Sequence, residues 1–427
     1  MKTKYKYLFL TAIILIGCKN DDPVSHELEL RNEPPLSFNL IDVADNSTNV
    51  DVLPTLSWES AKNPKGGEVT YDLYLGKEIN PTTLYQSDIP QTSFEIMERL
   101  NLITEYYWKV VAKDSAGQTS QSGINKFSTR NLNFPETPVT ANAAFPKRTG
   151  FASAAYDEKM WVIGGLVNNE LKNDVWFSEN GINWLEITTP LPFSPRREHS
   201  LVVFEGKLWL IGGRATIEDG AHLNDVWSTT NGISWTQETA SAAFPTRSGH
   251  STVVHDEKIW LLGGSGPTSI DDVWYSEDGI NWIEALNKTP FGIRLHHTSM
   301  VFDDKLWVIG GAALSIEQVV FHKDIWYSAD GANWTLATDD PSFPARNFET
   351  GFVFDDKMWL AGGLSNGEGF LNDVWFSSNG TDWFEAISKA PFSERVDHVS
   401  IIFKKVPWII GGVGPDDMAT NDIWILE

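Results

Sequence analysis

The strongest constraint on this chain is that most of it repeats. From near residue 145 to the end, a frame of about fifty residues recurs. Its clearest copy, residues 244–291, reads FPTRSGHSTVVHDEKIWLLGGSGPTSIDDVWYSEDGINWIEALNKTPF. Within it F-x-x-R, W-x-x-G-G, D-V-W and D-G-x-x-W follow in order. Six glycine pairs mark the copies: Gly164/Gly165, Gly212/Gly213, Gly263/Gly264, Gly310/Gly311, Gly362/Gly363 and Gly411/Gly412. A unit this short cannot bury a hydrophobic face alone, so neighbours must stack, as in a solenoid or a propeller.

Each unit carries four strand signals. In the second they fall at 200–204, 207–212 and 225–228, with Trp235 opening the fourth. Short turns such as Glu205-Gly206, Asp256-Glu257 and Asp303-Asp304 join the first pair of strands. Asn180-Gly181, Asn231-Gly232, Asp278-Gly279, Asp330-Gly331 and Asn379-Gly380 join the second pair, where they read as type I′ hairpin turns. Four up-and-down strands per unit, stacked around an axis, make a β-propeller.

The repeat set resembles the Kelch propeller family. Trp161, Trp209, Trp260, Trp307, Trp359 and Trp408 each precede a glycine pair by three, and Trp176, Trp227, Trp274, Trp326, Trp375 and Trp424 each close an Asp-Val-Trp or Asp-Ile-Trp. The resemblance implies an all-β, six-bladed Kelch propeller over 131–427, with the aromatics buried between blades. Fourth-strand Trp occurs only five times, at 184, 235, 282, 334 and 383, and the chain stops after the sixth third strand. The missing strand is expected from 133–148, where Ala143-Ala144-Phe145-Pro146 echoes Ala242-Ala243-Phe244-Pro245 and Phe134 lies two places out of register. An offset of two keeps the same face. Up-and-down topology then places the start of strand one, the loop from strand two to three and the link to the next unit on one rim. That rim carries the loops of variable length, where binding usually lives.

Candidate ligand-binding residues follow from this layout. Arg148, Arg196, Arg247, Arg294, Arg346 and Arg395 start each first strand and are expected to ring the channel mouth, where guanidinium groups could hold a carboxylate or sulfate. The other reading is that each bonds carbonyls or acids of its own or the next unit. His199, His250, His297 and His398 follow three residues later, with Phe151 and Glu349 in the remaining two units. Their expected role is hydrogen bonding between blades rather than metal ligation. The variable rim adds Arg214, Glu218, Asp219 and His222, then Phe321 and His322, Glu368 and Phe370, and Asp416, Asp417 and Met418. Such mixed loops suit a sugar or a peptide. The turn SEDGINW resembles the Asp box of sialidases less one residue, which supports a propeller and not a sialidase. Galactose oxidases share the Kelch propeller but need a Tyr–Cys crosslink. The only cysteine here, Cys18, lies outside the repeats, which excludes that copper chemistry. No zinc motif, phosphate loop or Ser-His-Asp order is evident. Catalytic residues, metals and cofactors are therefore expected to be none.

Ahead of the repeats come two further regions. Lys2, Lys4 and Lys6, an apolar run from 8 to 16 and Leu15-Ile16-Gly17-Cys18 resemble a lipoprotein signal with its lipobox. The resemblance implies a signal peptide over 1–17, lipid on Cys18 and a linker over 18–35. Lys19-Asn20-Asp21-Asp22 is similar to the surface-export signal of Bacteroidetes lipoproteins. Residues 36–130 alternate short apolar runs with turns and resemble a fibronectin type III sandwich, with Trp58 as its core Trp and Leu100 and Tyr106 as its leucine and tyrosine corner. The net charge of −24 argues against nucleic acid.

Together these readings give the expected function. The chain is a lipid-anchored outer-membrane protein, a monomer or part of a surface complex, that recognises a glycan or protein on its variable rim without catalysis. Two alternatives stand beside it. One is a carbohydrate-active enzyme of the epimerase or mutarotase type, with Arg196, His199, Arg247 and Glu349 as the first residues to test. The other is a purely structural scaffold.

Overall fold

The computed structural model describes residues 33–218, 220–268, 270–314 and 318–426. The leader, Cys18 and Asp219 lie outside them. The described residues contain strands, turns and irregular segments but no helix. They divide into two compact units. One takes residues up to Ser47, Leu53–Met97 and Glu105–Phe127. The other takes Thr48–Val52, Glu98–Thr104 and Ser128 onward.

In the first unit Val69–Gly76 pairs with Glu105–Asp114 on one side and Leu84–Ile89 on the other, while Thr55–Ser57 pairs with Ser93–Glu95 in a separate sheet. Alternation along Glu105–Asp114 turns Tyr106, Trp108, Val110 and Ala112 inward. Trp58 is buried edge-on to Tyr71, with ring centroids 5.5 Å apart.

Besides a two-stranded ladder of Ala312–Leu314 with Val319–Phe321, the described residues of the second unit form six successive antiparallel sheets in which spatial order follows chain order. The second sheet is representative, with strands Ser200–Phe204, Lys207–Arg214, His222–Thr229 and Thr236–Thr239. The sixth has three strands, Val399–Phe403, Val406–Val413 and Ala419–Ile425. The first strand of each sheet neighbours that of the next, and the first strand of the sixth neighbours that of the first.

Aromatic residues lock each sheet to its neighbour. A Cβ placed on Gly232 would lie 2.0 Å from the Trp161 ring of the preceding sheet, and one on Gly279 would lie 2.3 Å from Trp209. The same contact joins Gly181 of the first sheet to Trp408 of the sixth, at 2.5 Å. Among the described residues Trp359 of the fifth sheet meets no such turn and belongs to a core cluster that also holds Val52, Leu102, Leu132 and Phe134. The Phe of each F-x-x-R meets the fourth-strand Trp edge-on, as in Phe244–Trp282 and Phe343–Trp383 at 5.0 and 5.2 Å. In the sixth case the partner of Phe392 is Phe134, at 5.6 Å. Ile423 N donates to Thr140 O at 2.8 Å. Asn421 donates to the carbonyls of Ala143 and Phe145, both at 2.9 Å, as Asn224 does to Ala242 and Phe244. The segment before Arg148 thus contacts the sixth sheet with the residues the repeat pattern assigns to it.

The turns differ from expectation. The left-handed pairs that define type I′ occur between strands one and two, at Asp256/Glu257 and Asp303/Asp304 among others. In the Asn-Gly and Asp-Gly loops only the glycine has positive φ. There the side chain of Asn180 accepts from the amides of Ile182 and Asn183, and Ser178 Oγ accepts from Gly181 N. Side-chain capping replaces the tight turn because six residues separate the strands Glu170–Ser178 and Leu185–Glu186.

Candidate functional site

The six arginines are buried at 0–1% exposure. Arg247 donates to both oxygens of Asp272, at 2.7 and 2.9 Å, and to Gly263 O at 2.9 Å, while its guanidinium lies 5.5 Å from the Phe244 ring centre. Trp274 Nε1 donates to the same carboxylate. Arg148, Arg196, Arg346 and Arg395 pair in the same way with Asp174, Asp225, Asp373 and Asp422, and Arg294 more loosely with Asp324. The structure therefore corrects the expectation of an anion-holding ring. F-x-x-R and D-x-W are two halves of one buried clasp inside each sheet.

The residue two places after each arginine is different. Gly150, Glu198, Gly249, His296, Phe348 and Asp397 all adopt φ between +51° and +61°. That conformation costs a non-glycine residue about 1–2 kcal/mol. The backbone of these residues is chained from sheet to sheet. The amides of Glu198, Gly249, His296 and Phe348 donate to the carbonyl of the preceding sheet's equivalent at 2.7–3.0 Å. With the residues that follow them they line a cavity of about 150 Å³ where the first strands begin. Strained residues that the surroundings over-determine cluster at functional sites. The residues that the sequence pattern singles out, His199 and Glu349, lie one position later. The missed signal was R-x-G in two units against R-x-E, R-x-H, R-x-F and R-x-D in the others.

The outer layer of this cavity is charged. Glu198 accepts from Arg214 Nη2 at 2.7 Å and Ser248 Oγ at 3.0 Å, and Arg197 Nε lies 3.5 Å away. Burial pushes its pKa up, but His296, Arg214 and Arg197 outweigh burial and hold it below the ordinary glutamate value. Asp397 accepts from Thr149 Oγ1. Burial raises its pKa in spite of His296 and Thr149, with Glu198 adding to the rise. Burial lowers His296, which the two carboxyls partly offset, and its ring stacks on Phe348 with centroids 3.9 Å apart. Two carboxyl groups displaced in opposite directions thus flank one imidazole.

The inner layer is uncharged. His250 and His297 hydrogen-bond through Nε2 to Ser200 and Ser251 of the preceding sheets, and His398 Nε2 donates to Ala361 O. These are bonds between sheets, the role expected of the histidines. His199 has no partner among the described residues, because Ala152 stands where Ser200 and Ser251 stand in later sheets. Burial, then the adjacent arginine, lowers His199, His250 and His398 to about 3. Glu349 is pushed up to about 8, chiefly by burial. The amides of Glu349 and Thr298 approach its carboxyl without reaching hydrogen-bond geometry. Among the described residues no group of three His, Cys, Asp or Glu is placed to hold a metal.

The rim residues are scattered. Arg214 is drawn inward to Glu198, and its strand neighbour His222 is half-buried. His322 Nδ1 lies 3.7 Å from Asp324, Phe321 and Phe370 are half-buried, and Glu368, Asp416, Asp417 and Met418 are exposed. Ile217 and Glu218 line a separate groove of about 780 Å³ with Asn169, Glu170, Leu171, Ser194 and Pro195. Arg197 touches a residue of each lining, since its Nη2 donates to Ile217 O at 2.7 Å and its Nε lies 3.5 Å from Glu198. The groove is the larger space, and among its described lining residues the ionisable groups are Glu170 and Glu218.

Residues 114–264 match the family described as the KLHDC2/KLHL20/DRC7 Kelch-repeats domain. The match covers less than half of the chain, and over those residues the chain is similar to a Kelch-repeat domain. A curated protein of Drosophila melanogaster, the leucine-zipper-like transcriptional regulator 1 homolog, is 29% identical over 126 residues, which are 28% of this chain and 13% of that protein. The solved structure of YjhT aligns with a TM-score of 0.55 at 17% identity, covering 67% of this chain and 96% of that one. At that identity the likeness concerns the fold, a Kelch-type β-propeller.

Proposed function

We propose that the repeats form a six-bladed Kelch propeller, closed by the segment before Arg148, that recognises a glycan or protein ligand on its loop-rich face. The observation that carries this reading is the 780 Å³ groove on the face where the long loops lie, whose lining residue Ile217 accepts from Arg197, itself 3.5 Å from Glu198 of the cavity. Recognition is favoured over turnover because Glu198 is already held by Arg214 and Ser248 and Asp397 by Thr149. The small cavity also leaves no room for a whole sugar chain. The charged run, apolar run and lipobox of the leader support export and lipidation at Cys18, and the Trp58/Tyr106 pattern supports a fibronectin type III-like domain as spacer. Nucleic acid is not a partner in this reading, and no cofactor is needed. A glycan array combined with capture of partners from the native envelope tests it. Retention of a defined glycan or protein is expected, and no retention together with conversion of a sugar would overturn it.

A second reading rests on the placement of Glu198, His296 and Asp397 in one cavity lining, where the two carboxyls are displaced in opposite directions. Pairs of acids driven apart are how one site supplies both an acid and a base. On this reading the protein is a sugar epimerase or mutarotase. Proton NMR of candidate sugars with catalytic amounts of protein would show conversion that Glu198→Gln abolishes.

A further inference from the structure

The fourth sheet departs from the repeat at its outer edge. Two places before each fourth-strand Trp stand Ile182, Ile233 and Ile280 in the first three units, Thr381 in the fifth and Ala332 in the fourth. Trp184, Trp235, Trp282 and Trp383 are buried at 3–8% exposure, whereas Trp334 is half-buried. Ala332 and Trp334 line a cleft of about 440 Å³ with Leu286, Lys288, Pro290 and Thr335 among others. The cleft thus opens in the unit where the β-branched side chain is missing. It lies between adjacent sheets. Leu286 ends the last strand of the third sheet, Ile283–Leu286, and Thr335 begins that of the fourth, Thr335–Thr338.

The chemistry of the lining narrows what the cleft accepts. Trp334 Nε1 already donates to Gly331 O at 2.9 Å, so what the indole offers a ligand is carbon surface. On its core side Phe291 meets it at 83°, with centroids 4.9 Å apart. Beside the indole, Asn333 and Thr335 are exposed and supply amide and hydroxyl groups. Among the described lining residues the one ionisable group is the exposed Lys288. On a chain of net charge −24, a cleft with a cation and no carboxylate favours an anion. A sugar ring has an apolar C–H face and a rim of hydroxyls, which an aromatic wall with polar neighbours matches. An extended peptide needs successive pockets for alternate side chains, and this cleft has a single aromatic wall.

We propose that this cleft between the third and fourth sheets binds one acidic sugar residue of a glycan, with the C–H face of the sugar on Trp334 and its carboxylate or sulfate at Lys288. The site shares no residue with the axial cavity or the groove and does not depend on the loop-rich face. One stacked ring and one exposed ion pair bind weakly, so the cleft adds avidity to a glycan held elsewhere rather than retaining one alone.

The test is heteronuclear NMR of the tryptophan indole N–H groups of the full chain, with the Trp334 signal assigned by its absence from Trp334→Phe. The probes are methyl D-glucuronide, sulfated D-glucose, methyl D-glucoside and the tripeptide Glu-Leu-Glu. At least one of the two acidic sugars should shift the Trp334 signal in a saturable way, and which of them does so distinguishes carboxylate from sulfate. Ala332→Ile should abolish the shift. Isoleucine already stands at that position in three units, so this variant preserves the repeat. Lys288→Gln should weaken the acidic sugar by about two- to fivefold and leave the glucoside unchanged. Ile217→Asp in the groove should leave the Trp334 shift unchanged, which separates this site from the loop-rich face. No shift with either acidic sugar, or the same shift in Ala332→Ile as in the parent, would overturn the proposal. So would a shift by the tripeptide alone, or a glucoside that binds as tightly as the acidic sugars.

Discussion

At the scale of single residues, the repeat frame and the axial site obey different rules. Arg247 is fully buried against Asp272, so removing its side chain leaves an uncompensated buried charge. Arg247→Ala should lower stability by about 3–5 kcal/mol, read as a fall in the urea midpoint with unchanged slope. The cavity residues set a pH profile instead. A histidine whose folded pKa is about 3 loses stability as pH falls from 6.5 towards 3, because only the unfolded chain takes up the proton. Glu349, raised to about 8, works the other way, and its contribution is lost as pH rises from 4.5 through 8. The raised Asp397 adds to that decline. Stability should peak near pH 6.5, and urea midpoints across pH should show Glu349→Gln declining less above the peak than the parent. The clasp residues were legible in the sequence because they recur at fixed spacing. Glu198, His296 and Asp397 were not, because what unites them is a left-handed backbone shared with two glycines, and side-chain type does not reveal that.

At the scale of elements, glycine acts through neighbouring sheets as much as through its own turn. Gly206 and Gly279 have nearly the same φ, +70° and +73°. A Cβ on Gly206 meets nothing within 4 Å, whereas one on Gly279 meets the Trp209 ring at 2.3 Å. Alanine at either position carries the left-handed cost of about 1–2 kcal/mol. Gly279→Ala should cost a further 1–3 kcal/mol or so through overpacking. Parallel urea titrations of the two variants test this, and equal losses would refute the interlock. Strand order was legible because alternation and glycine pairs mark it, whereas the second and third strands of the second sheet run further than expected, to Arg214 and from His222. Turn type was not. Asn-Gly signals a tight hairpin when two residues join the strands, and here capping by Ser178 and Asn180 spans a longer loop.

At the scale of the whole chain, the repeated parts build the scaffold and the departures from repetition build the face. The ring contact of Gly181 with Trp408, the Phe134–Phe392 pair and the hold of Asn421 on Ala143 and Phe145 were foreshadowed by a count of five fourth-strand Trp for six glycine pairs. The groove was not foreshadowed, since loop length says where binding can occur but not which loops form a concavity. One measurement bears most directly on the claim that recognition belongs to the loop-rich face. It is a glycan-array scan, at equal protein concentration, of the parent chain, Ile217→Asp on that face and Lys404→Glu in a turn of the opposite face. The account predicts glycans retained by the parent and by Lys404→Glu and lost by Ile217→Asp. An empty array for the parent together with no partner captured from the native envelope, or loss in Lys404→Glu with retention in Ile217→Asp, would contradict it.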